Sequence, residues 1–63
     1  MDGENNIQNN FRCINHVTNF QFEEPSLWHI SERFMIPLNR IKEIFQTNLE
    51  FNNGFRIYRI DQL

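Results

Sequence analysis

Cys13, His16 and His29 carry the softest, most metal-seeking donor atoms in this chain. Cys13 and His16 stand three apart, which on a helix would put half of a tetrahedral site on one side. His29 is the only third ligand to hand, one short of the four a structural zinc takes. The pattern reads as a buried thiol beside a solvated imidazole, and no metal or other cofactor is expected. Glu23-Glu24 reads as negative charge placed ahead of a helix, where it complements the dipole, and not as an acid–base pair. With two Gly in all there is no phosphate-cradling loop. No nucleophile, base and orienting group can be assembled, so the chain is not expected to be an enzyme.

A chain of 63 residues allows a single small domain, near the limit of independent folding. Seven Phe, one Trp and one Tyr supply large apolar groups for its core. Cys13 is the only cysteine, which excludes an internal disulfide. No apolar run approaches the ~20 residues that a membrane span needs. The stretch "MDGENNIQNN" lacks the basic start and apolar middle of a signal peptide. An intracellular protein with no membrane association is expected. The net charge of −2 argues against a protein that coats nucleic acid indiscriminately. The distribution is uneven, with acids dominating residues 1–36 and a slight basic excess in residues 37–63.

Any chemistry must be positioned by a few elements. Residues 1–6 read as a flexible N-terminus and 7–63 as one domain. Ile7, Phe11, Ile14 and Val17 (with Phe20 beyond) fall four, three and three apart, which predicts a first helix. Phe20 and Phe22 alternate about Gln21, as in a short extended piece. Pro25 suits the first turn of a second helix, with Ser26 as an alternative cap, running to Phe34 and turning Leu27, Ile30 and Phe34 inward. Pro37 pushes Ile36 out of helical conformation, so "MIP" is a tight turn. A third helix follows, with Leu38, Ile41, Ile44 and Phe45 on its inner side. "NLEFNNGFRIYRI" changes period from 3.6 to 2, and Asn53-Gly54 between its halves predicts a C-terminal β-hairpin. The alternative is a longer third helix reaching Phe51 and capped by Gly54.

The stretch "SLWHISERFMIPLNRIKEIF" resembles a helix-turn-helix unit. Ile30-Ser31 supplies the apolar and small pair, Met35 the turn, and Ile36, Ile41 and Ile44 the inner contacts. With a helix before it and a hairpin after it, the chain resembles a minimal winged helix-turn-helix domain: α+β, three short helices plus a C-terminal β-hairpin. That resemblance implies a small DNA-binding regulator or accessory protein, acting on double-stranded DNA as a homodimer. It would put Asn39, Arg40, Glu43 and Thr47, with Lys42 flanking, in a major groove. Arg56 and Arg59 of the hairpin would reach phosphates or the adjacent minor groove. Three residues depart from the pattern. A left-handed backbone at Met35 would cost ~1 kcal/mol or more. Pro37 stands where a capping Ser or Thr is usual, and Glu43 would face phosphate repulsion.

The same fold also serves protein–protein interaction, as a module or inhibitor without DNA contact. Trp28, Phe22 and Tyr58 would then form an aromatic patch for a protein partner. Leu27, Trp28, Ile30, Ser31, Phe34 and Ile41 also resemble the LysM glycan-binding module, with "NNGFRIYRI" as its closing strand. That resemblance implies glycan binding and leaves the first nineteen residues as a tail.

Overall fold

The computed structural model describes residues 8–63. The chain forms β1 (Phe11–Asn15), β2 (Gln21–Glu24), α1 (Leu27–Phe34), α2 (Leu38–Thr47) and β3 (Phe55–Arg59), then a 3-10 turn over Ile60–Gln62. The strands make one antiparallel sheet in the order β2-β1-β3. The fold is α+β, with two helices covering one side of the sheet.

The first helix expected from the stripe Ile7, Phe11, Ile14 and Val17 does not form among the described residues: Phe11–Asn15 is strand β1, and a turn joins it to β2, near the extended piece expected at Phe20 and Phe22. Ile7 and the expected flexible stretch 1–6 lie outside the described residues. Phe11, Cys13 and Asn15 point toward the helices, while Arg12 and Ile14 lie on the open side with Tyr58 and Arg56. A period of 2 therefore wins over the period of 3.6 that Phe11, Ile14 and Val17 offered. The turn residues favour it. Asn19 adopts φ 68, and its N–H donates to the Asn15 carbonyl at 2.7 Å. Asn15 Oδ1 accepts from the N–H groups of Val17 and Thr18 at 2.9 and 3.0 Å. Short polar side chains that bond the backbone locally favour turns over helices. Cys13, fully buried, packs as a small hydrophobe at the centre of the sheet and leaves room for the fully buried Ile30 and Ile41 above it.

The expected C-terminal hairpin is also corrected. The tight turn falls one residue earlier than expected, on Asn52 (φ 48) and Asn53 (φ 65), followed by Gly54 at φ 121, although Asn53 and Gly54 both take the positive φ expected of them. The strand before it is reduced to one bridge, Phe51 to Phe55. β3 pairs along its length with β1, some forty residues away in sequence. The longer third helix does not form either: α2 stops at Thr47, with Asn48 left-handed at φ 55.

Asn15 joins the two turns. Beyond its bonds to Val17 and Thr18, its Nδ2 donates to the Asn53 carbonyl at 3.2 Å. It is the buried polar side chain of the core, and its partners offset its desolvation. Gly54 lies against it, and the His16 N–H donates to the Gly54 carbonyl at 2.9 Å. A Cβ at Gly54 would stand 2.7 Å from Asn15 Oδ1 and 2.8 Å from Val17 Cγ2.

Above the sheet, Ile30 from α1 meets Ile41 and Ile44 from α2. Phe34 packs edge-on against Phe51 and Phe55, at centroid distances of 4.9 and 5.1 Å, and Phe45 likewise meets Phe11 at 5.3 Å. Such pairs add about 0.5–1.5 kcal/mol each beyond burial, a large share for a domain this small. Arg33 fastens α1 to β2, bonding Glu24 at 3.0 Å and covering the Phe22 ring at 3.9 Å.

Two substitutions should move stability in opposite directions in urea unfolding. Gly54→Ala meets both a close contact and a positive φ, and should cost about 1–3 kcal/mol. Met35→Gly relieves a left-handed side-chain residue and should gain about 0.5–1 kcal/mol. A loss for Met35→Gly would show that the side chain, 91% exposed, contributes more than its backbone strain costs.

Candidate nucleic-acid interface

The turn between the helices sets how α2 is presented. Ser26 is the N-cap of α1, its Oγ accepting from the His29 N–H at 3.3 Å, so the alternative cap is the one used. Pro37 bars helix at Ile36, and α1 ends at Phe34. Met35 is left-handed (φ 58, ψ 42), as that turn requires. The Ile36 N–H donates to the Ser31 carbonyl at 3.0 Å and the Met35 N–H to that of Glu32 at 3.3 Å, a Schellman closure. Ser31 Oγ then donates to the Ile36 carbonyl at 2.6 Å. Both backbone groups of Ile36 are thus tied to Ser31, which explains a small hydroxyl residue there. Pro37 starts α2 without a side-chain cap; its carbonyl accepts from the Arg40 and Ile41 N–H groups at 3.0 Å each.

The same closure recurs at the far end of α2, where the Leu49 N–H donates to the Ile44 carbonyl at 3.0 Å and the Asn48 N–H to that of Phe45 at 3.2 Å. Asn48, a residue that tolerates the left-handed region, takes the place that Met35 holds in α1. Between these two ends, Ile41 and Ile44 are buried, with Leu38 and Phe45 beside them. Asn39, Arg40, Lys42, Glu43, Gln46 and Thr47 are exposed, and Gln46 also borders a cleft with Ile57 and Tyr58 of β3 and with Gln62 and Leu63. At 100° per residue, Asn39, Glu43 and Gln46 run down the middle of the outer side, with Arg40 and Lys42 on opposite margins. Arg40 Nη1 lies 3.1 Å from Glu43 Oε1. Thr47 Oγ1 turns back to donate to the Glu43 carbonyl at 2.7 Å. Gln46 lies three from Glu43 and falls on this outer side by the same spacing, although the helix-turn-helix resemblance did not put it in the groove.

The two arginines expected on a hairpin wing are placed differently. Arg56 Nη1 donates to the Asn48 carbonyl at 2.8 Å, bracing the C-terminal end of α2, where a cation also meets the helix dipole favourably. Glu50 approaches the same guanidinium at 4.0 Å. Arg59 Nε pairs with Asp61 at 3.3 Å. Neither stands on a projecting wing. Among the described residues, every arginine has an acidic partner within 4.0 Å and Lys42 has none.

Trp28, Phe22 and Tyr58 do not share one surface. Trp28 stands on the outer side of α1, 51% exposed, edge-on to His29. Phe22 lies half-buried on the helix side of the sheet, under Arg33. Tyr58 is on the opposite side, where its hydroxyl lies 2.8 Å from His16 Nε2. Cys13 and His16 likewise point apart, and no group of three metal-ligating side chains forms among the described residues. None of the helices there is long and apolar enough to cross a membrane. The residues before Phe20, a tail in the LysM resemblance, include the middle strand of the sheet. No family model, no curated protein and no solved structure matches this chain.

Two titrations follow from these positions. Arg12 Nη2 lies 2.7 Å from Glu23 Oε2 across β1 and β2, and that bond holds the Glu23 carboxyl below its usual range. Its contribution to stability is present at neutral pH and fades as the pH falls through that lowered value. Burial pushes the Cys13 thiol up from 9.0 to about 12, aided by the charge of Glu24 and opposed by Arg33. Above pH 9.0 the unfolded chain loses this proton while the folded protein keeps it, so stability falls with rising pH over that window. The folded protein should therefore resist a thiol reagent at about pH 8, reacting only as fast as it opens. Prompt labelling without denaturant would contradict the burial of Cys13.

Proposed function

We propose that this protein binds double-stranded DNA, laying α2 in the major groove as a regulator or accessory factor. The observation that carries the reading is the outer side of α2. Asn39, Arg40, Glu43 and Gln46 stand uncovered, while the opposite side is packed against α1 and the sheet. These side chains match the hydrogen-bonding patterns of base edges: Arg for guanine, Asn and Gln for adenine, a carboxylate for cytosine. Lys42 at the margin, and Thr47 near the end of α2, supply phosphate contacts. Arg56, already seated on the Asn48 carbonyl, stands at the C-terminal end of the same helix and adds a further cation there.

Charge sets the mode of binding. A net charge of −2, with the arginines held by acids, gives little sequence-independent attraction to a polyanion. Affinity must come chiefly from the groove, and from a second copy on a neighbouring half-site about 10 base pairs away. A homodimer is therefore part of the reading.

Duplex binding titrated across salt tests it. Arg40→Ala should abolish site preference. Lys42→Ala should weaken all sequences alike and reduce the salt slope by about 1. If both variants bind as the parent does, the roles assigned to α2 are wrong. If the parent shows no salt-dependent affinity for DNA, a protein partner is the better reading. The exposed side chains of Phe20, Trp28 and Met35 favour that second reading, since large apolar groups anchor such contacts.

A further inference from the structure

Glu43 is the one acid on the side of α2 that would face DNA. It stands at the middle of that side, where a negative charge repels phosphate unless a donor is provided for it. Its carboxylate does nothing for the core. Its partner is Arg40 at 3.1 Å, and the two side chains are 59% and 58% exposed. An exposed pair three residues apart on a helix adds little to stability. Helix α2 is already held by Ile41, Ile44 and a closed C-terminal turn. The pair does fix the direction of Arg40, whose guanidinium is held beside Glu43 along the helix instead of swinging freely toward phosphates.

Resting on the DNA reading above, we infer that Glu43 determines specificity together with Arg40. Arg40 donates two hydrogen bonds to O6 and N7 of a guanine. Glu43 accepts from the N4 amine of a cytosine in the adjacent base pair. Two features of the geometry carry this. Residues three apart on a helix are separated by about 4.5 Å along its axis, close to the ~3.4 Å between successive base pairs. The held guanidinium also leaves the second carboxylate oxygen of Glu43 without a partner among the described residues, available to one further donor. In the major groove cytosine is the base that offers only a donor, its N4 amine. The preferred site accordingly contains two adjacent G·C pairs, one read by each residue. The flanking amides of Asn39 and Gln46 suit adenine on either side.

Selection from a randomised duplex pool, with the parent, Glu43→Gln and Glu43→Ala, tests this. The parent should prefer cytosine at one position by about 5- to 100-fold, a range set by one good base contact. Glu43→Gln should move that position to adenine, because an amide suits adenine N6 and N7, and should leave the neighbouring guanine unchanged. Glu43→Ala should lose preference at that position, relax the preference for the neighbouring guanine by releasing Arg40, and bind unrelated duplex more tightly. Both variants should unfold at the parent's temperature, since among the described residues the Glu43 carboxylate bonds only Arg40, and the Thr47 bond is to the backbone carbonyl. If both variants keep the parent's preferred sequence and merely bind every duplex more tightly, Glu43 is a general charge barrier and the inference fails, while the DNA reading stands. If the parent selects no sequence and Arg40→Ala changes nothing, the DNA reading fails first, and the inference with it.

Discussion

The attachment of Ile36 to Ser31 at both of its backbone groups is the constraint on which the remainder of the molecule depends. A helix that must stop within one residue of its last core contact needs a left-handed residue to turn the chain. Here that residue is Met35, a poor type for the conformation. The cost is offset by the two bonds to Ile36 and by Pro37, which makes the helical alternative worse. With the turn closed, Ile41 and Ile44 reach Ile30, and the polar side of α2 must face outward. A longer α1, or one helix running through this point, would carry Arg40 and Glu43 to a different side of the molecule.

The sheet provides the floor against which that turn is set. Its middle strand carries Cys13 and Asn15 in place of large apolar side chains. The small thiol gives Ile30 and Ile41 space to be fully buried, and the Asn15 amide ties together the two turns at one end of the sheet. Replacing bulk by a hydrogen-bonded amide suits a domain with little core, because one side chain then orders two loops. Gly54 follows from the same choice, since only a residue without a side chain fits beside Asn15 at that backbone angle. The phenylalanines of both helix ends and of β3 complete the cover, edge to face.

Electrostatics shape what the surface can do. Arg12, Arg33, Arg40, Arg56 and Arg59 each have an acidic neighbour, so the cations act as local fasteners more than as a continuous field. Apart from Arg33–Glu24, whose carboxylate is largely covered, these pairs are exposed and worth little each. They direct guanidinium groups, and they reduce attraction to any polyanion. A surface organised in this way favours recognition by matched hydrogen bonds over attraction by bulk charge.

Both helices and the turn between them were legible in the sequence, because Ser26, Pro37 and the isoleucine spacing act over three or four residues. The exposed side of α2 followed from the same periodicity, which is why the residues of the candidate site could be named in advance. A tight turn around Asn53-Gly54 was legible for a similarly local reason, although its start at Asn52 was not. What residues 11–20 would do was not. Phe11, Ile14 and Val17 fit a helix, while Phe11 and Cys13 fit a strand, and local spacing cannot choose between them. Tertiary pairing chose: β1 satisfies its backbone groups with β2 on one side and with β3, distant in sequence, on the other. That pairing also withdrew β3 from the expected hairpin and brought Arg56 to the end of α2. Short-range chemistry specified the helices and turns; only long-range backbone hydrogen bonding could specify the sheet.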